Sequence, residues 1–358
     1  MSTTERPEFV PAGAGLAATI ALETHGDLGD LGTVHVRARG YWEQVWIRFR
    51  RDKVAIAGGC FILLLIFAAF AGGPIAAAIL GHGPNQPFLA GGLDPKTELP
   101  VGPWTWVTTA PYFGAAGHFG KTLFILGSDG TTGRDEFLRL LYGAQVSLEV
   151  AGIATLIGMV VGVAMGASAG YFGGWIDTII SRLTEMVMAF PILLFAIALG
   201  STVGPRLNGI TLGFLGDGVL TLVLVIGLVS WFYPARIIRA QVLSLREKEF
   251  IEAARMTGAS DIRILRSHLL PHLVAPIIVY STLVFAQNIL FEAGLSFLGV
   301  GIQVPTASWG TLLSTAPGFY LTQPWLMLWP GLAVLLTTLA FNLLGDGLRD
   351  AFDPRSSR

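Results

Sequence analysis

The sequence predicts an all-α integral membrane protein of about six transmembrane helices, N-in and C-in, and three observations predict it. The chain of 358 residues is 53% hydrophobic and only 13% charged, where soluble domains carry about 25% charged residues. Six stretches are apolar enough to cross the bilayer, for which a helix needs roughly 20 residues against about 30 Å of hydrocarbon. Lysine and arginine, which are retained on the cytoplasmic side during insertion, are unevenly divided between the segments that join those stretches. The lipid bilayer is therefore the expected surround, and no nucleic acid partner is expected.

Residues 1–45 mix Gly, Thr, Ala and acidic residues without sustained periodicity and read as a flexible cytoplasmic tail. The first span is expected over Val54–Leu80, within residues 46–81; it lies too far from the N-terminus for a secretory signal and should stay as an anchor. Its Cys60 is the only cysteine and can form neither an internal disulfide nor a thiolate metal site by itself. Residues 82–135, rich in Gly, Pro and Trp, form an extracytoplasmic loop long enough to be folded and functional. A membrane core over 136–348 holds the remaining spans, expected at Tyr142–Gly170, Leu183–Val203, Val219–Ile238, Pro276–Phe297 and Pro324–Leu344. A cytoplasmic loop at about 241–272 interrupts it, and residues 349–358 form a second cytoplasmic tail.

In the second span Gly158, Gly162, Gly166 and Gly170 recur every fourth residue. That spacing lays them along one helix ridge, where missing side chains let a neighbouring backbone approach closely. With the N-terminus inside, the non-cytoplasmic segments hold only Lys96, Lys121, Arg134, Arg139 and Arg206 of the 23 basic residues. The inverse orientation would place the clusters at Arg48–Lys53, Arg236–Arg266 and Arg349–Arg358 outside.

The most informative segment runs from Arg246 to Pro271 between the fourth and fifth spans. It is charged, amphipathic and helix-prone, and it is broken at Gly258, where a left-handed cap can end a short helix. Pro271 is expected to bar the next helix from continuing backwards. The product is a short helix parallel to the membrane surface. Glu252-Ala253-Ala254, then Gly258, then Leu270-Pro271 resembles the EAA signature of ABC importer permeases, with His268 where that signature prefers an aliphatic residue.

Three further stretches, Leu126–Leu148, Ser296–Gly310 and Asn342–Pro354, narrow the resemblance to the C-type transmembrane subunit of dipeptide and oligopeptide permeases. Together with the basic lead-in Arg48–Lys53, the resemblance spans roughly residues 48–355. It implies the type I permease fold and a coupling site made by Glu252, Ala253, Ala254, Arg255, Gly258, Leu270 and Pro271. It also implies a homologous second permease subunit, two ATP-binding subunits, an extracytoplasmic substrate-binding protein and a peptide substrate. ATP and Mg would be used by the partner subunits, with no cofactor bound by this chain. Nickel chelates and glutathione are carried by relatives of the same type, and the residues do not choose among these solutes.

Other chemistry is poorly represented. Gly114–Thr122 imitates a phosphate-binding loop, but five residues rather than four separate Gly114 from Gly120-Lys121-Thr122. His268 and His272 have helical metal-ligand spacing without a third ligand, so no metal is expected. His82 and His118 read as isolated loop histidines, and no catalytic constellation converges. Polar groups inside spans are costly and face a protein interior or an aqueous path; Glu149, Asn288 and Glu292 are the substrate-path candidates, while Glu185 is expected to pair with Arg182. An ion-coupled transporter would need charge pairs or broken helices at the midplane and would leave the coupling-like segment without a purpose.

Overall fold

The computed structural model describes residues 40–130, 132–211 and 218–353. The expected tail 1–45 lies almost wholly outside the described residues, although helix α1, Tyr41–Phe49, already begins within it.

Five long apolar helices and one bent pair make the membrane core. Helix α2, Lys53–Leu80, starts where the Asp52 carboxylate accepts the Val54 and Ala55 N–H groups and ends at Gly81 with φ 75°. These are the side-chain and left-handed caps that satisfy a helix's orphan backbone groups. Helix α3, Glu136–Phe172, is 37 residues long, capped by Asp135 and stopped at Gly173 with φ 65°. At 1.5 Å per residue it is about 55 Å long, enough to outrun the bilayer at both ends.

The third expected span, Leu183–Val203, is not one straight helix. Helix α4, Gly174–Met188, and helix α5, Ile192–Thr211, meet at 92°. Pro191 sits between them; it lacks the N–H that the preceding turn would need, and it pushes its predecessor away from the helical region. Helices α6, Val219–Val229, and α7, Phe232–Leu245, together make the next span, Val219–Leu245. The short helix α8, Glu249–Met256, follows.

Helix α9, Asp261–Phe297, also departs from expectation. Pro271 does not bar it: the rod begins ten residues earlier and takes π-helical turns over Ile264–Leu269. The wider turn relieves the clash between the proline ring and the carbonyl behind it, so Pro271 marks a change of helix type, not an end. Pro276 lies inside the same rod. The bundle closes with α10, Trp309–Thr315, and α11, Trp325–Phe352, which runs past residue 348.

Between α2 and α3, strands β1, Thr105–Thr108, and β2, Lys121–Phe124, pair antiparallel with Thr105 opposite Phe124. Val107, Phe124 and Phe88 are buried under the hairpin, which gives the loop a small core of its own. Gly114–Gly120 forms its tip, so the residues that imitate a phosphate-binding loop connect two strands. A phosphate cradle needs a loop leading into a helix N-terminus.

The ends of the bundle follow from contacts. Arg48 Nη1 donates to the Asp353 carbonyl at 2.8 Å, so the chain enters α2 and leaves α11 at one end, the end that also carries α8. At the other end Gln323 Nε2 donates to the Pro100 carbonyl at 2.9 Å. With the bent pair counted as one crossing, the described residues hold six candidate spans.

Candidate functional site: coupling segment and membrane cavity

Helix α8 is amphipathic in fact as well as in pattern. Ile251 and Ala254 are buried against the bundle, in a cluster with Ile238, Ile264, Leu269 and Leu273. Glu252, Ala253 and Arg255 face out, and Met256 is 84% exposed. Gly258, at φ 80°, ends the helix; Ala259 N–H donates back to the Ala254 carbonyl at 3.0 Å, the six-to-one bond of a Schellman cap. Leu270 and Pro271 are exposed at the start of the regular α turns of α9. A cavity of about 540 Å³ lies between the two arms, lined by Phe250, Ala253, Gly258, Arg263 and His268. The structure thus presents Glu252, Ala253, Arg255, Gly258, Leu270 and Pro271 to the outside, while Ala254 points inward. His268 supplies its carbonyl to His272 Nδ1 at 2.8 Å, and the His272 ring stacks on Phe250.

The glycine ridge of α3 lies against α6 and α7. A Cβ at Gly158 would stand 3.0 Å from Ser230 Cβ, one at Gly162 would stand 2.7 Å from the Trp231 carbonyl oxygen, and one at Gly170 would stand 2.8 Å from that of Arg239. At Gly166 it would overlap the Ala235 carbonyl. Asp177 on α4 takes both the Nε and the Nη2 of Arg239, the latter at 2.6 Å. This two-pronged pair ties α4 to α7; Arg182–Glu185, which forms as expected at 2.8 Å, lies within α4, is mostly exposed and is worth little in water.

Inside the membrane core the three path candidates part company. Asn288 on α9 is 1% exposed: its Nδ2 donates to Thr155 Oγ1 at 2.9 Å and its Oδ1 accepts from Ser230 Oγ at 2.7 Å. It also lines a cavity of about 380 Å³ with Phe190, Ser230, Tyr233, Gln287 and Phe291, where hydroxyls and amides alternate with aromatic rings. That cavity sits against the elbow between α4 and α5. Glu292, one turn further along, is fully buried and accepts from Ser147 Oγ at 2.7 Å and Ser296 Oγ at 3.0 Å. Ser147 Oγ in turn receives the Trp309 N–H at 3.2 Å, so Glu292 joins α3, α9 and α10. Glu149 is half-buried and accepts from Gln145 Nε2 at 2.9 Å on its own helix. Tyr233 and Gln287 are not singled out in the sequence: Tyr233 lies in the last turns of its expected span and reads as interfacial, and Gln287, in mid-span beside Asn288, shows its place on the cavity wall only once the elbow has folded against it.

Part of the stretch Leu126–Leu148 is a buried ionic joint. Asp129 pairs with Arg134 at 2.7 Å and with Arg139 at 3.1 Å. Arg139 Nη1 also donates to Asn85 Oδ1 at 2.9 Å and to the Pro305 carbonyl at 3.3 Å. His82 is not an isolated loop histidine. Its Nε2 lies 3.0 Å from Asp135 Oδ2 and its Nδ1 lies 3.1 Å from the Leu80 carbonyl, packed edge-on against Phe88. The contact spans 53 residues of sequence, which is why spacing gave no warning of it. Asp94, at the rim of the same loop, accepts the N–H groups of Lys96 and Thr97, and these bonds hold its carboxyl below the usual range.

The model of the family described as binding-protein-dependent transport system inner membrane component matches residues 158–358. That of the N-terminal TM domain of oligopeptide transport permease C matches residues 40–90. A dipeptide transport system permease protein, DppC, of Alkalihalophilus pseudofirmus is 43% identical over 62% of this chain and 69% of its own length. A glutathione transport system permease protein, GsiD, of Pectobacterium atrosepticum is 37% identical over 88% of this chain and 91% of its own length. Among solved structures, an inward-facing conformation of the MetNI methionine ABC transporter is similar with a TM-score of 0.49 and 18% identity, over 60% of this chain and 96% of that one.

Proposed function

This chain belongs to the family of binding-protein-dependent transport system inner membrane components, and on that premise we propose that it is the transmembrane permease subunit of an ATP-driven importer of di- or oligopeptides. Its fold is that of an ABC importer permease, and it spans the membrane. The observation that carries the proposal is α8: a short helix whose one face is buried in the bundle while Glu252, Ala253 and Arg255 stand exposed. A helix so placed has a fixed seat on its own protein and a free face for another.

In this reading the end of the bundle that carries α8 is cytoplasmic, with both chain termini beside it, and partner ATPase subunits seat against α8. A loaded binding protein docks at the opposite end; closure of two ATPases on ATP and Mg then moves α8 and, through it, α7 and α9. This chain pairs with a homologous second permease to enclose the path, and neither nucleotide nor metal is bound by this chain. Chemistry in the path is supplied by Ser230, Tyr233, Gln287 and Asn288, whose hydroxyls and amides can pair with a peptide backbone without a fixed charge. Phe190 and Phe291 offer apolar contact to side chains.

The test is co-purification of the ATPase subunits with this chain, and its loss when Glu252 and Gly258 are both replaced. Retention of the ATPases by E252A/G258V, with uptake unimpaired, would remove α8 from the mechanism. A second solute class is favoured by one observation: the glutathione permease relative aligns over more of this chain than the dipeptide one does. Uptake of labelled dipeptide and labelled glutathione by cells lacking this gene separates the two. The peptide reading requires the dipeptide flux to fall and to return when the gene is restored.

A further inference from the structure

The coupling segment has two arms, α8 on one side of Gly258 and the first turns of α9 on the other, and covalent continuity joins them only to α7 and α9. A third connection runs to α3, whose Val163 and Ala167 pack against the same cluster and whose Tyr171 adds a polar link. Tyr171, in the last turn of α3, is 6% exposed. Its hydroxyl donates to Asp261 Oδ1 at 2.7 Å, on the α9 arm. The guanidinium carbon of Arg255, on the α8 arm, stands 5.4 Å from the centre of its ring, within cation–π range. The ring belongs to the apolar cluster that seats both arms, with Ile251 and Ala254 from one and Ile264 and Leu269 from the other. One residue earlier, the Gly170 carbonyl accepts from Arg246 Nη1 at 3.1 Å.

Gly258 is the weak point of this segment. Its φ of 80° belongs to the left-handed region, and a Cβ built there would meet nothing within 4 Å. No packing against the glycine itself therefore fixes the angle between the arms, which a glycine would otherwise leave free. Tyr171 bridges the two arms across that joint and is rooted in a helix which carries no part of the segment. At its far end the same helix holds Ser147, which bonds Glu292 on α9 and the backbone of α10.

We propose that Tyr171 is a positioning residue for energy coupling: it sets the angle between the two arms and passes their displacement to α3. This rests on the reading of α8 as the ATPase seat. Without the hydroxyl bond the ATPases still dock on α8, but part of their closure is taken up at Gly258 and less of it is passed to α3.

The experiment uses the full complex of permeases, ATPases and binding protein in proteoliposomes and measures solute taken up per ATP hydrolysed. Tyr171→Phe removes the hydroxyl and keeps the ring under Arg255; Asp261→Asn keeps an acceptor oxygen and serves as the conservative partner. The expected result is a ratio lowered about fivefold in Y171F, the factor that corresponds to one net hydrogen bond, with the ATPases still co-purifying and the ratio largely retained in D261N. A wild-type ratio in Y171F overturns the proposal. So does loss of the ATPases from Y171F, which would make Tyr171 part of the seat and not of the transmission. E252A/G258V, run in parallel, tells the two failures apart: if it keeps both ATPases and coupling, the seat itself is misassigned and the inference falls with it.

Discussion

At the scale of single residues, the two strongest constraints lie at contacts where nothing larger fits and where nothing polar can be left alone. Gly166 meets the Ala235 carbonyl with no room for a methyl group, whereas Gly331, in the second turn of α11, faces open space. Gly166→Ala is expected to cost about 1–3 kcal/mol, the usual range for overpacking a filled interface, and Gly331→Ala less than about 0.5 kcal/mol, as for a surface change. The thermal unfolding midpoints of the two variants in detergent decide it; equal midpoints would refute the close approach of α3 to α7. Glu292 holds two serine hydroxyls from two helices. Glu292→Ala should lose about 1–3 kcal/mol through the unpaired groups it leaves. Glu292→Gln keeps an acceptor and should stay much nearer the parent midpoint.

At the scale of elements, departures from straight, regular helices sit where function is proposed. The elbow between α4 and α5 supplies Met188, Phe190 and Ile192 to the wall of the cavity that Asn288 lines. Pro191→Ala restores the missing backbone donor and removes a penalty of about 3 kcal/mol against continuous helix. Partial straightening would carry Phe190 out of the cavity, so solute uptake should fall steeply while the ATPases remain bound; unaltered uptake would show that the elbow is held by packing alone. The loop over 82–135 is pinned by His82 to Asp135 and to the last turn of α2. His82→Ala should loosen the joint between that loop and α3 while the Asp135 cap remains, and limited proteolysis should cut the hairpin region faster than in the parent protein.

For the whole molecule the decisive property is sidedness. The distribution of Lys and Arg predicts that α8 is inside, and the contacts place α8, the start of α2 and the end of α11 at one end of the bundle. Two cysteines introduced after Cys60 is replaced by serine test it: one at Tyr112, 59% exposed on the hairpin, and one at Met256, 84% exposed on α8. A membrane-impermeant maleimide should label the Y112C protein in intact cells and the M256C protein only after permeabilisation. The opposite pattern would invert the molecule and end the case for α8 as an ATPase seat.

The sequence by itself determined the class, the approximate spans and the exposed short helix, because each is written in local terms: apolar length, basic flanks, a glycine where a helix must stop. It also marked the glycine ridge of α3, since a four-residue period is a property of one helix. Only the tertiary structure decided what that ridge touches, that Pro191 turns the chain through 92°, and that Pro271 is absorbed by a π turn. It alone brought Asn288 to the cavity wall and Glu292 into a three-helix bond, and it alone joined His82 to Asp135. Such pairings depend on side chains far apart in the chain meeting in a medium where polar groups find no water, and no spacing in a linear sequence encodes which partner the packing will deliver.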